Sequence, residues 1–128
     1  MSNVIIVKEK DLDNEGKLEW LGKENTNLIQ SEINKSSKEV IKYLREIRGD
    51  GPTALGPAVL LSLYLLNKAE TGSRIFLCTD GLSNRGVGNI NNKDDAIQFY
   101  KKIGDIAKEK GIAISLISFE DSKSEINI

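Results

Sequence analysis

The sequence has no histidine and a single cysteine, Cys78. Without an imidazole, acid–base catalysis by histidine at neutral pH and a histidine-ligated zinc site are both excluded. A lone cysteine cannot form an internal disulfide, and because Cys78 lies in an apolar run we expect a buried, reduced thiol. Histidine chemistry and an internal disulfide are therefore excluded at the start.

The chain also lacks a long hydrophobic run and an excess of charge of either sign. Its longest apolar stretch, residues 58–66, is interrupted by Ser62 and is far shorter than the roughly 20 residues that span a bilayer. The N-terminus has no basic segment followed by a long apolar one, and 18 basic against 19 acidic residues leave a net charge of −1. We expect an intracellular protein whose main partner is neither nucleic acid nor a membrane.

The 128 residues are the length of one ordinary domain, and no repeat, linker or low-complexity block divides them. Near the N-terminus, Val4–Val7 is predicted to be a strand and Lys17–Gly22 its return strand in a hairpin. Within the latter, Trp20 is expected to pack against the sheet. Ser36 and Glu39 have the spacing of a capping box, which predicts that a helix begins at this point.

Helix and strand patterns alternate through the rest of the chain. Thr53–Lys68 is apolar almost all round and predicts a buried helix, in which Pro57 fits only the first turn. Arg74–Thr79 is a continuous apolar run, as in strands that are covered on both faces. Asn91 or Asn92 can cap the next helix and Gly111 ends it. Its apolar residues recur at helical spacing: Ala96, Phe99, Tyr100, Ile103 and Ala107. Residues 112–119 predict the last strand. This order predicts a three-layer α/β domain with a mostly parallel sheet.

Two loops carry the residues best suited to chemistry, residues 49–55 before the buried helix and residues 79–84 after the apolar strand. Ligands of parallel α/β sheets bind outside the carboxyl ends of strands, and Asp80 lies at such an end. Thr53 begins the helix that leads into this strand of the sheet. We therefore expect its hydroxyl to lie beside the Asp80 carboxylate. Both are hard oxygen ligands, which suit Mg²⁺ or Mn²⁺.

A plainer role remains open for each of these residues. Asp80 can be a turn residue, since Asp-Gly is a common turn pair, and Thr53 can be a helix N-cap. The glycines of the second loop, Gly81, Gly86 and Gly88, are interpreted as loop flexibility. They do not form a phosphate-binding loop, because no Gly-Lys-Ser/Thr follows them.

The stretch GPTALGPAVLLSLYLLNKAETGSRIFLCTDGLSNRG, with the later GIAISLISF, resembles the von Willebrand factor type A (vWA) family. The resemblance covers residues 49–119 well and residues 1–48 loosely. It implies a Rossmann-like αβα fold and a metal-ion-dependent adhesion site. In that site the hydroxyl at Thr53 would ligate the metal, and the carboxylate at Asp80 would contact it directly or through water.

The chain departs from the family in its first strand and in the Asp-x-Ser-x-Ser motif that follows it. The motif should precede Val4, where only three residues stand. The nearest match, residues 120–124, falls in the polar tail, residues 120–128, and is interpreted as a charged loop. We therefore expect a weak Mg²⁺ or Mn²⁺ site. The unpaired strand edges predict a rearranged sheet, a strand-exchanging oligomer or a piece of a larger protein.

Three classes of function follow. The favoured one is a non-enzymatic, intracellular interaction module of vWA type that binds a protein at the loops around Thr53 and Asp80 and has a degenerate metal site. The second is a working Mg²⁺- or Mn²⁺-dependent domain that another chain or a missing segment completes. The third is a small flavodoxin-like nucleotide-binding protein or enzyme, for which no catalytic set is visible.

Overall fold

The structure is a computed structural model, which describes residues 5–28 and 32–119. Within these ranges the chain forms four α-helices, two strands and two short 3-10 helices. In chain order these are the 3-10 helix Glu9–Asp11, α1 (Glu15–Glu24), the 3-10 helix Thr26–Leu28, α2 (Ile33–Glu46), α3 (Leu55–Leu65), β1 (Arg74–Thr79), α4 (Lys93–Lys110) and β2 (Ala113–Ser118). The predicted α/β class is confirmed.

The sheet of the described residues consists of β1 and β2, which pair in parallel with Arg74 opposite Ala113 and Thr79 opposite Ser118. Because α4 connects the two strands, they form a β-α-β unit, and the predicted parallel pairing is confirmed. The bounds of β1 agree with the predicted strand.

One face of this sheet packs into the core and the other is open. Ile75 and Ile114 face the helices and belong to the core or pack against it, whereas Phe76 is 65% exposed. The expectation that β1 is covered on both faces is therefore wrong for the described residues. Cys78 lies on the same open face as Phe76 and is exposed, so the prediction of a buried thiol is also wrong.

The core is built around α3, as its apolar sequence predicts. Pro57 occupies the first turn of α3, where its missing N–H leaves no hydrogen bond unmade. The side chains of α3 pack chiefly against α1 and then against α4 and β1. The most deeply buried side chains come from α1 and α3: Leu18, Val59, Leu60 and Leu63.

The N-terminal part differs most from the sequence prediction. Lys17–Gly22 is not a strand but the middle of α1, which begins because the side chain of Asn14 accepts a hydrogen bond from the backbone N–H of Lys17 at 3.0 Å. Residues 5–7 form no strand, and Val4 lies outside the described residues. Trp20 does not pack against the sheet; it is 51% exposed, with the Lys17 ammonium 3.9 Å from its ring centre.

Helix α2 begins three residues before the predicted capping box. Its N-cap is Glu32, and the hydroxyl of Ser36 donates to the Glu32 carbonyl oxygen at 3.3 Å from inside the helix. The predicted helix start at Ser36 is therefore wrong. The helix ends at Glu46, shortly before Gly49 and Gly51, and at each of these glycines the space that a side chain would fill is open.

Helix α4 has the ends that its sequence predicts. The side chain of Asn92 caps it by accepting from the backbone N–H of Asp95, and Gly111 ends it in the left-handed conformation with φ of 65°. Glu15 of α1 accepts a hydrogen bond from Lys102 of α4, and this contact holds the pKa of Lys102 above its usual range. The ion pair thus links α1 to α4 at the surface.

The close crossing of α1 and α3 generates a prediction about Gly22. A Cβ at this position would lie 2.6 Å from the Cβ of Tyr64 and 2.8 Å from the carbonyl oxygen of Leu61. We expect Gly22→Ala to lower the free energy of unfolding by about 1–3 kcal/mol, because the helices must move apart. Thermal unfolding followed by circular dichroism measures the change.

The matched control is Gly104→Ala in α4, where the added Cβ would meet nothing within 4 Å apart from its chain neighbours and the backbone of its own helix. There the substitution should stabilise the protein by about 0.5–1 kcal/mol, because alanine favours helix over glycine. Equal effects of the two substitutions would contradict the described crossing.

Candidate functional site

The carboxyl end of β1 is shaped by a turn that the side chain of Thr79 holds. Its hydroxyl donates to the carbonyl oxygen of Gly81 at 2.9 Å and accepts from the backbone N–H of Gly81 at 3.3 Å. Asp80 stands at the apex between these two residues and is exposed. The turn therefore presents the Asp80 carboxylate to solvent just beyond the sheet.

The loop before α3 is bound to the loop after β1 through the backbone of Thr53. The N–H of Thr53 donates to the side-chain oxygen of Asn84 at 2.7 Å. Its carbonyl oxygen accepts from the backbone N–H groups of Asn84 at 3.0 Å and Arg85 at 3.2 Å. We call this set of three hydrogen bonds the Thr53 clamp.

The clamp brings the two loops together, as the position of Asp80 at a strand end predicted. A Cβ added to Gly81 would lie 3.6 Å from the hydroxyl oxygen of Thr53. The hydroxyl of Thr53 and the turn that carries Asp80 are therefore neighbours at the same edge of the sheet.

The Thr53 hydroxyl does not cap α3. The N-cap of α3 is Ala54, and no side chain bonds to the first turn of this helix. Among the residues that the structure describes, neither the Thr53 hydroxyl nor the Asp80 carboxylate has a hydrogen-bond partner. Both oxygens are thus available to an external ligand.

The glycines of the second loop do more than make it flexible. Gly86 and Gly88 have φ of 75° and 70°, a conformation that residues with a side chain rarely adopt. A Cβ on Gly86 would lie 2.8 Å from the carbonyl oxygen of Leu12, and the N–H of Val87 donates to that same oxygen at 3.0 Å. The interpretation as loop flexibility is therefore wrong for these two residues, whose glycines allow close packing.

Gly56 in the first turn of α3 completes this packing. A Cβ there would lie only 1.9 Å from the carbonyl oxygen of Val87, so the loop lies directly against the helix. An ion pair between Arg85 and Glu9 ties the same loop to the N-terminal segment. The sequence shows a glycine at position 56, but only the fold reveals which backbone comes close to it.

Ser83 and Asn84 both hold the loop after β1 in place. Ser83 is 3% exposed, and its carbonyl oxygen accepts from the N–H of Ile90 at 2.9 Å, which closes the loop. Its buried hydroxyl has no partner among the described residues. The role of Asn84 in the clamp was missed, because nothing in its local sequence indicates a contact with Thr53.

The site has few charged ligands for a metal. In the ranges 5–28 and 32–119, no group of three or more acidic, cysteine or histidine side chains is arranged to hold a metal ion. One hydroxyl and one carboxylate, completed by water, bind a divalent cation weakly, because such ions require six or more oxygen ligands with substantial negative charge. The motif-like residues 120–124 lie outside the described residues.

Comparison with known proteins shows similarity to a protein of Dictyostelium discoideum named circularly permutated Ras protein 1. The two are 31% identical over 93 residues, which are 71% of this chain and 11% of that protein. The chain thus spans about a tenth of the length of the curated relative that it matches. No family model matches the chain, and no solved structure matches it significantly.

None of the helices in the described parts of the chain is both long enough and apolar enough to cross a bilayer.

The Thr53 clamp makes a prediction about Asn84. Replacing it with alanine removes the acceptor of the Thr53 N–H, and Asn84→Ala should lower the free energy of unfolding by about 1 kcal/mol. Asn84→Asp keeps an oxygen at the same position and should retain most of the stability. Urea unfolding of both variants measures the difference, and equal losses would show that the side-chain acceptor does not hold the two loops together.

Proposed function

We propose that this protein is an intracellular protein–protein interaction module of vWA type with a degenerate metal-ion-dependent adhesion site. The observation that carries the proposal is the Thr53 clamp, which holds a hydroxyl that has no partner among the described residues beside an exposed Asp80 turn. A site of this kind, at the carboxyl end of a parallel strand, suits recognition of a ligand from outside.

A protein partner is favoured over a tightly held metal. Loops that are exposed at their tip but fixed by backbone hydrogen bonds lose little conformational freedom on binding, which favours affinity. The vWA-like family uses the same positions to contact an acidic residue of a partner through the metal. With only Thr53 and Asp80 in place, direct contacts from the partner to the loops take over most of that role.

The proposal also covers the fold of the domain and the cellular compartment in which the protein works. We infer an αβα arrangement that lacks the usual first strand over the single domain 1–128. The further layer over the open face of the sheet would then come from an element that does not pack there within the described chain. An exposed lone thiol, Cys78, fits a reducing compartment, where it escapes oxidation.

Two alternatives remain. A working Mg²⁺ or Mn²⁺ site would arise if another chain or segment supplied the missing acidic ligands. The name of the Dictyostelium relative raises a Ras-like nucleotide-binding alternative. The sequence argues against nucleotide binding, because it contains no Gly-Lys-Ser/Thr phosphate-binding loop.

Metal addition separates the degenerate site from the working one. We expect the thermal unfolding midpoint to be the same in EDTA and in millimolar Mg²⁺ or Mn²⁺, for the wild-type protein and for Asp80→Ala alike. A bound ion at a hundred times its Kd would add about 2.7 kcal/mol of stability, so a working site is easily detected. A metal-dependent rise that Asp80→Ala abolishes would replace the degenerate site with the working one.

Nucleotide addition in the same thermal unfolding assay tests the nucleotide-binding alternative. GDP, GTP, ADP and ATP, each with Mg²⁺, should leave the unfolding midpoint unchanged. A rise with one nucleotide would assign the chain to nucleotide binding instead.

The interaction itself is tested by affinity capture with this chain as bait. The proteins recovered by the wild-type chain are compared with those recovered by variants of equal stability. Thr53→Ala and Asp80→Ala should each reduce the recovery of a common set of proteins by tenfold or more, equivalent to about 1.4 kcal/mol. Asp105→Ala, an exposed acid on α4, is the control and should leave that set unchanged. Recovery that is insensitive to both site variants would refute the proposed binding surface.

A further inference from the structure

The open face of the sheet forms a continuous apolar strip. Side chains of paired residues in a parallel ladder point to the same side, so the register places Phe76, Cys78 and Ile117 together on this face. Phe119 follows on the same side, because its N–H continues the ladder to the carbonyl oxygen of Thr79 at 3.0 Å. Phe76, Ile117 and Phe119 are all exposed.

Contacts of Arg74 confirm which side chains share this face. Its guanidinium donates to the hydroxyl of Ser115 at 3.3 Å and lies 5.9 Å from the centre of the Phe76 ring. We call the surface formed by Phe76, Cys78, Ile117 and Phe119 the open sheet face. Parallel sheets are almost always covered by helices on both faces, so this surface is the one that lacks its expected cover.

Helix α2 carries a second apolar surface, which no other described element covers. Four of its apolar residues lie at helical spacing along one side, namely Ile33, Val40, Ile41 and Leu44, with Ser37 between the first two, and Ile47 follows directly after the end of the helix. Several of them are exposed, and α2 makes no more than marginal contact with the other described elements. We call this surface the α2 stripe, and it consists of Ile33, Ser37, Val40, Ile41, Leu44 and Ile47.

The two surfaces match in kind and in size. Six residues of β1 extend about 20 Å, and the 14 residues of α2 extend about 21 Å. An amphipathic helix is the usual cover of a parallel sheet. The helix that the open sheet face lacks thus has the same length as α2, whose exposed side is not covered by the other described elements.

We propose that α2 of one copy of this protein packs on the open sheet face of a second copy, and that the reverse contact closes a two-fold symmetric dimer. In such an arrangement each of the two surfaces of one chain meets the complementary surface of its twin, so the contact is closed and does not propagate a filament.

The area available is that of an ordinary interface. Seven large apolar side chains are exposed on the two surfaces: Ile33, Ile41, Leu44, Ile47, Phe76, Ile117 and Phe119. At roughly 100 Å² each, they offer about 700 Å² per copy, close to the ~800 Å² that each partner contributes to a standard interface. The net charge of −1 gives little electrostatic repulsion between two copies.

Sedimentation velocity over a range of protein concentrations tests the dimer. We expect the wild-type chain to dimerise reversibly, and Leu44→Lys or Phe76→Lys to raise the dissociation constant about tenfold or more. Ile97→Lys is the control, since Ile97 is an equally exposed apolar residue on α4 that belongs to neither surface. A wild-type chain that stays monomeric throughout, or a dimer that tolerates both variants, overturns the proposal.

Cross-linking identifies the contact even if a lysine variant folds poorly. A chain carrying Ile41→Cys and Cys78→Ser is mixed with a tagged chain that retains Cys78, and a short bis-maleimide is added. The proposal requires a cross-linked product between the two different chains. The same experiment with Ile97→Cys and Cys78→Ser should give none.

Two other cross-linked products would contradict the proposed contact between α2 of one copy and the open sheet face of the other. If Ile41→Cys in a chain that keeps Cys78 yields only an internally linked monomer, α2 covers its own sheet. If the mixture yields only links between two native Cys78 residues, the open sheet faces meet each other instead of α2.

Discussion

Burial of α3 is the constraint on which the rest of the described structure depends. Its apolar side chains are shared among α1, α4 and β1, so the helix fixes all three relative to one another. The same burial fixes the position of its first turn. Because Gly56 lets the carbonyl of Val87 come against that turn, the loop after β1 takes its course from α3. The course of this loop is therefore set by the core, and the Thr53 clamp and the Thr79 turn fix the local geometry of the candidate site.

The elements that the sequence predicted well are those whose signals are local. β1 is a six-residue apolar run between turn residues. Asn92 and Gly111 mark the ends of α4 through capping chemistry that depends only on neighbouring residues. Pro57 in the first turn of α3 is a signal of the same kind. In each case the physical cause lies within a few positions of its effect, so the sequence alone suffices.

The predictions that were wrong required knowledge of distant partners. Residues 17–22 have a partly alternating pattern, but Leu18 and Gly22 are buried together against α3 only if the segment is helical. The cover of β1 depends on which other elements reach its second face, and the exposure of Cys78 follows from that. The pairing of the loops at Thr53 and Asp80 was predicted from topology, whereas the clamp by Asn84 spans 31 positions and has no local signature.

The site joins rigidity of the backbone with freedom of the side chains. All hydrogen bonds of the Thr53 clamp involve the main chain of Thr53, and the Thr79 turn likewise fixes the backbone around Asp80. Ligand-binding surfaces often place adaptable groups on a scaffold that does not move. Among the described residues the backbone scaffold of the site is in place, while the group of acidic ligands that would hold a metal strongly is not. The site therefore has the backbone shape of a binding site without the charged side chains of a strong metal site.

The loop between α2 and α3 has a consequence for how this chain can evolve. Gly49 and Gly51 stand in open surroundings, and α2 contributes little to the core. Substitutions on the exposed side of α2 therefore disturb few contacts among the described elements, although Ser36 on the same helix is buried. Selection can alter this helix for a new association without first compensating for a loss of stability, whereas a change at Gly22 or Gly56 would require compensation elsewhere.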